Sequence, residues 1–204
     1  MNGAAAASKP AGKRERTKAA NRAAILAAGR EVFADIGYGA ASVRDIVRRT
    51  DLATGTFYNY FPDKESVLRA LVEEIAVEAR RRVRAARKQA TTVEDFVAGG
   101  FRAYLEFLTE DRGRFELMRR NAGTIRAMFD EPAIGAGIDE LHADLEAGIA
   151  AGALPPHDAG LMAAAMAGAG LEVGVRLVEA DPPDVDRAAE FLTNVFLGGL
   201  ERLG

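Results

Sequence analysis

Cysteine and tryptophan are both missing from this 204-residue chain, histidine occurs only as His142 and His157, and there are seven prolines. Without thiols there is no disulfide, no thiolate nucleophile and no cysteine metal site. Two histidines leave little imidazole for metal ligation or proton transfer. Charge or glycine breaks each apolar run before the ~18 residues of a spanning helix are reached. The N-terminal MNGAAAASKPAGKRERTK has alanines but no apolar core followed by a small-residue cleavage site. No strand-length alternation occurs, and no repeat of fixed period. These absences exclude a secreted disulfide scaffold and argue against a membrane protein or a metalloenzyme. They leave an all-α, soluble, cytoplasmic protein with no cofactor.

The chain is 49% hydrophobic, enough to bury a core. Its net charge of −3 hides an asymmetry. Residues 1–90 hold 18 Lys/Arg against 10 Asp/Glu, and residues 91–204 hold 9 against 20. A basic front suits a polyanion and an acidic rear does not. Residues 1–15 lack hydrophobic periodicity and are expected to be a disordered basic arm. Lys9, Lys13, Arg14, Arg16 and Lys18 suit phosphate or a minor groove, and suit equally a solubilising tail.

Residues 17–36 carry Ile25, Leu26, Val32, Phe33 and Ile36 at helical spacing, stopped by Gly37. Ser42 with Asp45 forms a capping box for the next helix. The run SVRDIVRRTDLATGTFYNYF, residues 42–61, then reads as two short helices joined by a tight turn, with Thr54 capping the second. That second helix shows outward Thr54, Gly55, Thr56, Tyr58, Asn59 and Tyr60, small or hydrogen-bonding residues suited to base edges and phosphates in a major groove. Thr56 and Gly55 are small enough to approach bases. Tyr58 and Tyr60 offer hydroxyls to phosphate. Arg44 opens the first of the two helices, and a guanidinium pairs bidentately with guanine. Phe57 and Phe61 pack inward with Ile46, Leu52 and Phe33.

Pro62 breaks the chain, and Asp63 begins a long helix to about Lys88 whose basic end, RRRVRAARK, suits the helix C-terminal dipole. Thr92 with Asp95 caps a helix bearing Phe96, Val97, Phe101, Tyr104, Leu105 and Leu108. Short helices follow from Asp111 and over 121–130, then a stripe Ile134, Ile138, Leu141, Leu145, Ile149, then helices over about 158–179 and 184–203.

The combination of Phe33, Gly37-Tyr38, Ser42-Val43-Arg44-Asp45-Ile46, Thr54-Gly55-Thr56-Phe57-Tyr58-Asn59-Tyr60-Phe61 and Lys64-Glu65 resembles the TetR/AcrR family of bacterial transcriptional regulators. The likeness is strong over residues 17–70 and confined to helical layout beyond. It implies a homodimeric repressor with a three-helix helix-turn-helix domain on operator DNA, residues 16–62. It also implies a larger C-terminal domain, residues 63–204, that binds a small molecule and dimerises, with about nine helices. It further implies that Tyr58 and Tyr60 hold the DNA backbone and that Lys64 grips another phosphate. A two-fold dimer reads two half-sites, so the operator is expected to be palindromic.

The last two helices are rich in alanine and glycine and apolar on more than one side, so one side is free for a partner copy. Leu161, Ala165, Ala169, Val173, Leu192, Val195, Phe196, Gly199 and Leu203 are the candidate interface. Phe101, Tyr104, Phe107, Leu108, Phe115, Met118, Met128, Met162 and Met166 are candidate ligand-chamber residues, methionine being adaptable to irregular guests. His142 stands beside that stripe, and Arg119, Arg120, Arg126 and Asn121 suit an acidic head group. The stretch YLEFLTEDRGRFELMRRNAGTIRAMF is similar to effector domains of members that respond to acyl-CoA. That likeness implies a hydrophobic effector of acyl-CoA or fatty-acid type, with multidrug-like amphipathic compounds next.

Two other motifs dissolve on inspection. GAGLEVG at 168–174 lacks the G-x-G-x-x-G spacing and a preceding strand. Asp139-x-x-His142 is half of a di-iron motif whose second half is missing. The alternative class, a helical-bundle enzyme or metal-binding protein, therefore has no nucleophile–base pairing or ligand set behind it.

Overall fold

The computed structural model describes residues 12–180 and 182–203, and of Val178 only the backbone. The described residues form ten helices: α1 (Lys13–Ala40), α2 (Val43–Val47), α3 (Thr54–Tyr58), α4 (Lys64–Arg87), α5 (Val93–Thr109), α6 (Arg112–Arg120), α7 (Ala122–Arg126), α8 (Pro132–Ala150), α9 (Ala159–Val178) and α10 (Val185–Leu200).

Local chemistry sets most of these boundaries. Ser42 and Asp45 form the capping box, with Asp45 N–H donating to the Ser42 hydroxyl at 3.3 Å and Ser42 N–H to the Asp45 carboxylate at 3.0 Å. Thr92 caps α5 through Asp95 N–H at 3.0 Å, and the Asp63 carboxylate caps α4 through Ser66 N–H at 2.7 Å. Asp111, Asp158 and Asp184 accept the N3 amides of α6, α9 and α10 in the same way. Each such cap stabilises its helix by about 1 kcal/mol.

Three boundaries differ from expectation. Helix α1 begins at Lys13, because Gly12 N–H reaches Glu15 at 3.2 Å and Arg16 N–H reaches Gly12 C=O at 3.1 Å. Lys13, Arg14, Arg16 and Lys18 are therefore exposed helix residues and not part of a disordered arm, and Lys9 lies outside the described residues. Thr54 does not cap α3. Ala53 holds that position through its carbonyl, 2.8 Å from Thr56 N–H, and Thr54 is the first helical residue with its side chain outward. Finally, α1 resumes for one turn past Gly37, whose φ of 78° and ψ of 158° interrupt it.

Two apolar clusters fill the molecule. The first joins Ile25, Val32 and Phe33 of α1 to Ile46, Phe57 and Phe61, then continues through Leu68 and Leu71 of α4 to Leu117 and Ile125 beyond α5. The small N-terminal unit thus shares one core with α6 and α7. The second gathers Val97, Phe101 and Leu105 of α5 with Leu141, Ala163, Met166, Leu192 and Phe196. Helix α9 is assembled from small residues. Its stretch Ala159–Leu177 is long and apolar enough by composition to cross a membrane, with mean hydropathy 1.3, although only 28% of it is buried. Its glycines do not bring the average below that level, contrary to the expectation that charge or glycine breaks every apolar run.

Gly37 has a backbone that L-residues adopt only with strain. A Cβ there meets only the Asn121 Oδ1 atom, at 3.9 Å, so the obstacle is conformational and not steric. Gly37→Ala is expected to lose about 1–3 kcal/mol in urea denaturation. An unchanged midpoint would mean that the corner carries no such strain.

Candidate nucleic-acid interface and ligand chamber

Helices α2 and α3 are too short to be stable alone. They are held by Ile46 and Phe57, both fully buried, with Phe61 6.2 Å from Phe57 ring to ring. Burying that side fixes what remains outward. Thr54, Gly55, Tyr58 and Asn59 are exposed, and Thr56 is half-buried. Gly55 has open space around it. Tyr58 stands 55% exposed with its ring edge-on to Phe57 at 5.4 Å, a rigid base beneath a free hydroxyl. Tyr60 leans inward, and its hydroxyl accepts from the Asn21 side-chain amide at 3.2 Å. Arg44 and Arg48 are exposed, whereas Arg49 is tied to Asp35 at 2.7 Å and Glu31 at 3.4 Å.

Lys64 has partners within the protein. Its ammonium donates to Tyr38 C=O at 2.7 Å and Ala41 C=O at 2.8 Å, and lies 4.4 Å from the centre of the Tyr38 ring. Two of its three donors are spent on the protein, so Lys64 secures the corner between α1 and α2.

The same corner is gripped from the other side by Asn121, which is 3% exposed. Its amide nitrogen donates to Phe33 C=O at 3.1 Å and Leu117 C=O at 2.7 Å, while its amide oxygen accepts from Tyr38 N–H at 2.6 Å. One side chain thereby joins the end of α6 to both sides of the Gly37 break. Asn121 is expected from the sequence to suit an acidic ligand; its burial and three hydrogen bonds make it a structural link instead. Arg30 of α1 adds a half-buried pairing with Asp111 at 3.4 Å.

Behind the corner lies a cavity of about 180 Å³ between α4, α5, α8 and α9, with Met118 of α6 and Phe129 closing one end. Space of that size holds about six water-sized groups, at ~30 Å³ each. Of the candidate chamber residues, Phe101, Tyr104, Phe107, Leu108, Met118 and Met166 line it. Phe115, Met128 and Met162 are packed elsewhere, and His142 pairs at the surface with Glu146 at 3.4 Å. Arg119 is bound to Glu116 at 2.8 Å, and Arg120 and Arg126 face outward, so none of these three meets the chamber. The charged lining comes instead from Arg80, Arg84 and Arg87 of α4 and Glu140 of α8. Burial pushes the Tyr104 phenol up to about 12, and among the described residues it has no hydrogen-bond partner.

The outer faces of α9 and α10 expose Leu161, Phe191 and Val195, with Leu203 just beyond. Ala165 is exposed, and Ala169, Val173 and Gly199 are half-buried. Leu192 and Phe196 belong to the subunit's own core, Phe196 stacking on Phe101 at 5.5 Å, so neither is free to meet a partner. Phe191, 59% exposed, joins this outer face. It lies one position from Leu192 on a helix that is apolar on two sides, and composition alone does not separate the two.

Residues 25–71 match the family described as bacterial regulatory proteins, tetR family. An uncharacterized HTH-type transcriptional regulator of Haemophilus influenzae is 27% identical over 116 residues, 56% of this chain and 55% of that protein. The match thus spans about half of the curated relative. Among solved structures, the fatty acid degradation regulator FadR from Bacillus halodurans superposes with a TM-score of 0.74 at 25% identity, over 94% of this chain and 98% of that one. FadR from Bacillus subtilis, in complex with stearoyl-CoA, gives 0.75 at 23% identity over 87% and 98%, a likeness of fold.

Asn121→Ala is expected to cost about 1–3 kcal/mol for each buried group it strands, visible as a lower urea midpoint. Arg126→Ala, on exposed α7, serves as a control that leaves the midpoint in place. Equal midpoints for both would show that the Asn121 amide holds nothing.

Proposed function

This chain belongs to the tetR family of bacterial regulatory proteins, and on that premise we propose that it is a cytoplasmic, dimeric repressor of transcription, released from a palindromic operator by an amphipathic acyl-type effector. The observation that carries the DNA-binding part is the division of α2 and α3. Ile46, Phe57 and Phe61 are buried, while Arg44, Thr54, Gly55, Tyr58 and Asn59 are left exposed. In this reading α3 lies in the major groove and α2 crosses the backbone. Arg44 reads a base edge, Thr56 and Gly55 approach bases, and Tyr58, Tyr60 and Asn59 contact sugar and phosphate. Lys64 orients the pair of helices from within.

Dimerisation through α9 and α10 covers Leu161, Phe191, Val195 and Leu203, large apolar side chains that a monomer leaves in water. The chamber is the effector site. That FadR of Bacillus subtilis holds stearoyl-CoA on the same fold supports an acyl-type guest. A guest between α4, α5 and α8 bears on Met118 of α6 and on Ile75 of α4. Both helices hold the Gly37 corner, α6 through Asn121 and α4 through Lys64. Displacing either one turns α2 and α3 against their copies in the partner subunit, and the spacing of the two readers departs from the operator's. Release requires the effector to bind the displaced state more tightly, with a coupling of typically 5- to 150-fold.

Selection from a random duplex pool at moderate salt is expected to return an inverted repeat, and Arg44→Ala to weaken binding to it by about 1–3 kcal/mol while relaxing one base position per half-site. Absence of any selected sequence would refute the reading. Val195→Glu is expected to yield monomers in sedimentation velocity and to abolish half-site cooperativity; a dimer unchanged by it would refute the α9–α10 interface.

A further inference from the structure

Arg80, Arg84 and Arg87 lie at i, i+4 and i+7 of α4 and so share one face of that helix, the face that borders the chamber. Their partners on α8 are too few. Arg80 meets the Glu140 carboxylate at 2.6 Å, and Arg84 meets the same oxygen at 3.5 Å. Arg87 has only Asp144, at 3.7 Å, a separation too long for a hydrogen bond. Three cations therefore share two carboxylates at the rim of an otherwise apolar space.

Arg87 is the least satisfied of the three. Its side chain is 14% exposed, its guanidinium stacks 4.9 Å from the centre of Phe96, and its Nε is buried with no hydrogen-bond partner. Gly100 makes room for it: a Cβ at that position would stand 3.2 Å from Nε. Burial lowers its pKa from the ordinary arginine value. A buried N–H donor on a cation, left without an acceptor, is costly unless a ligand supplies one.

We propose that Arg80, Arg84 and Arg87 form the recognition site for an anionic head group, carboxylate or phosphate, of the chamber's ligand, in competition with Glu140 and Asp144. This rests on the chamber being the effector site. The apolar tail enters toward Phe101 and Met166, and the head stays at the arginines. Planar guanidiniums suit multi-oxygen anions through paired, charge-assisted hydrogen bonds. An arriving anion takes arginines that otherwise tie α4 to α8. Head-group capture and the loosening of α4 from α8 are then one event.

The test titrates the full-length dimer by calorimetry with three ligands of one tail: dodecanoyl-CoA, dodecanoate and dodecanol. The anions are expected to bind about tenfold or more tighter than the neutral alcohol. The tighter of the two anions identifies the source of the head group. Arg84→Ala, at a half-exposed position, is expected to shrink the preference to within about threefold while leaving dodecanol affinity unchanged. Glu140→Gln removes the internal competitor and is expected to tighten anion binding with no effect on dodecanol, a gain that a purely structural role does not produce. Equal affinity for alcohol and anions, or a Glu140→Gln variant that weakens the anions, would overturn the anion site while leaving the chamber as effector site. Failure of all three ligands to bind a dimer that still holds its operator would overturn both.

Discussion

The setting of α2 and α3 against the rest of the molecule depends on a single corner of backbone at Gly37. A helix that ran straight through would point α2 elsewhere, so the chain breaks at a conformation reserved for glycine. A break exposes backbone polar groups, and Asn121 satisfies them on both sides. Lys64 satisfies the carbonyls just beyond. The corner thus needs one side chain from α6 and one from α4. No hydrogen bond within α1 can replace them, because the break itself removes the intrahelical partners.

The chamber shares two helices with this corner. Its walls include α4 and the Met118 end of α6, the two helices that carry Lys64 and Asn121. The continuous apolar cluster from Phe33 through Leu71 to Leu117 and Ile125 makes the reader and the front of the chamber one packed body. Close-packed interiors shift between discrete arrangements and do not deform smoothly. In the proposed mechanism, a guest that moves α6 or α4 moves the reader as well. The hydrophobic effect builds the chamber. The polar atoms at its two ends, the corner on one side and the arginines of α4 on the other, give it a direction.

What was legible in the sequence was local. Ser42 with Asp45 and Thr92 with Asp95 carry their cap partners three residues away, so the starts of α2 and α5 followed directly. Leu68, Leu71, Phe101 and Leu105 followed from period alone. The roles that escaped depend on distant partners. Asn121 bonds to residues 83 and 88 positions upstream, and nothing near it distinguishes a buried link from a surface amide. Lys64 reaches back 26 and 23 residues. The basic end of α4 read as dipole compensation, because the carboxylates that line up with Arg80 and Arg84 arrive only with α8. On α10, Leu192 and Val195 carry the same apolar signal, and only packing against α5 assigns one to the core and the other to the surface.

The central claim is that effector and operator act on opposite settings of the Gly37 corner. The Tyr38 amide reports that setting directly, since its hydrogen bond to Asn121 is the bond that joins α6 to the reader. Amide hydrogen exchange at Tyr38 in the full-length dimer is therefore the decisive measurement. The account predicts slower exchange with operator bound, and faster exchange when dodecanoyl-CoA displaces the operator. Operator release with no change in exchange at Tyr38 would contradict it.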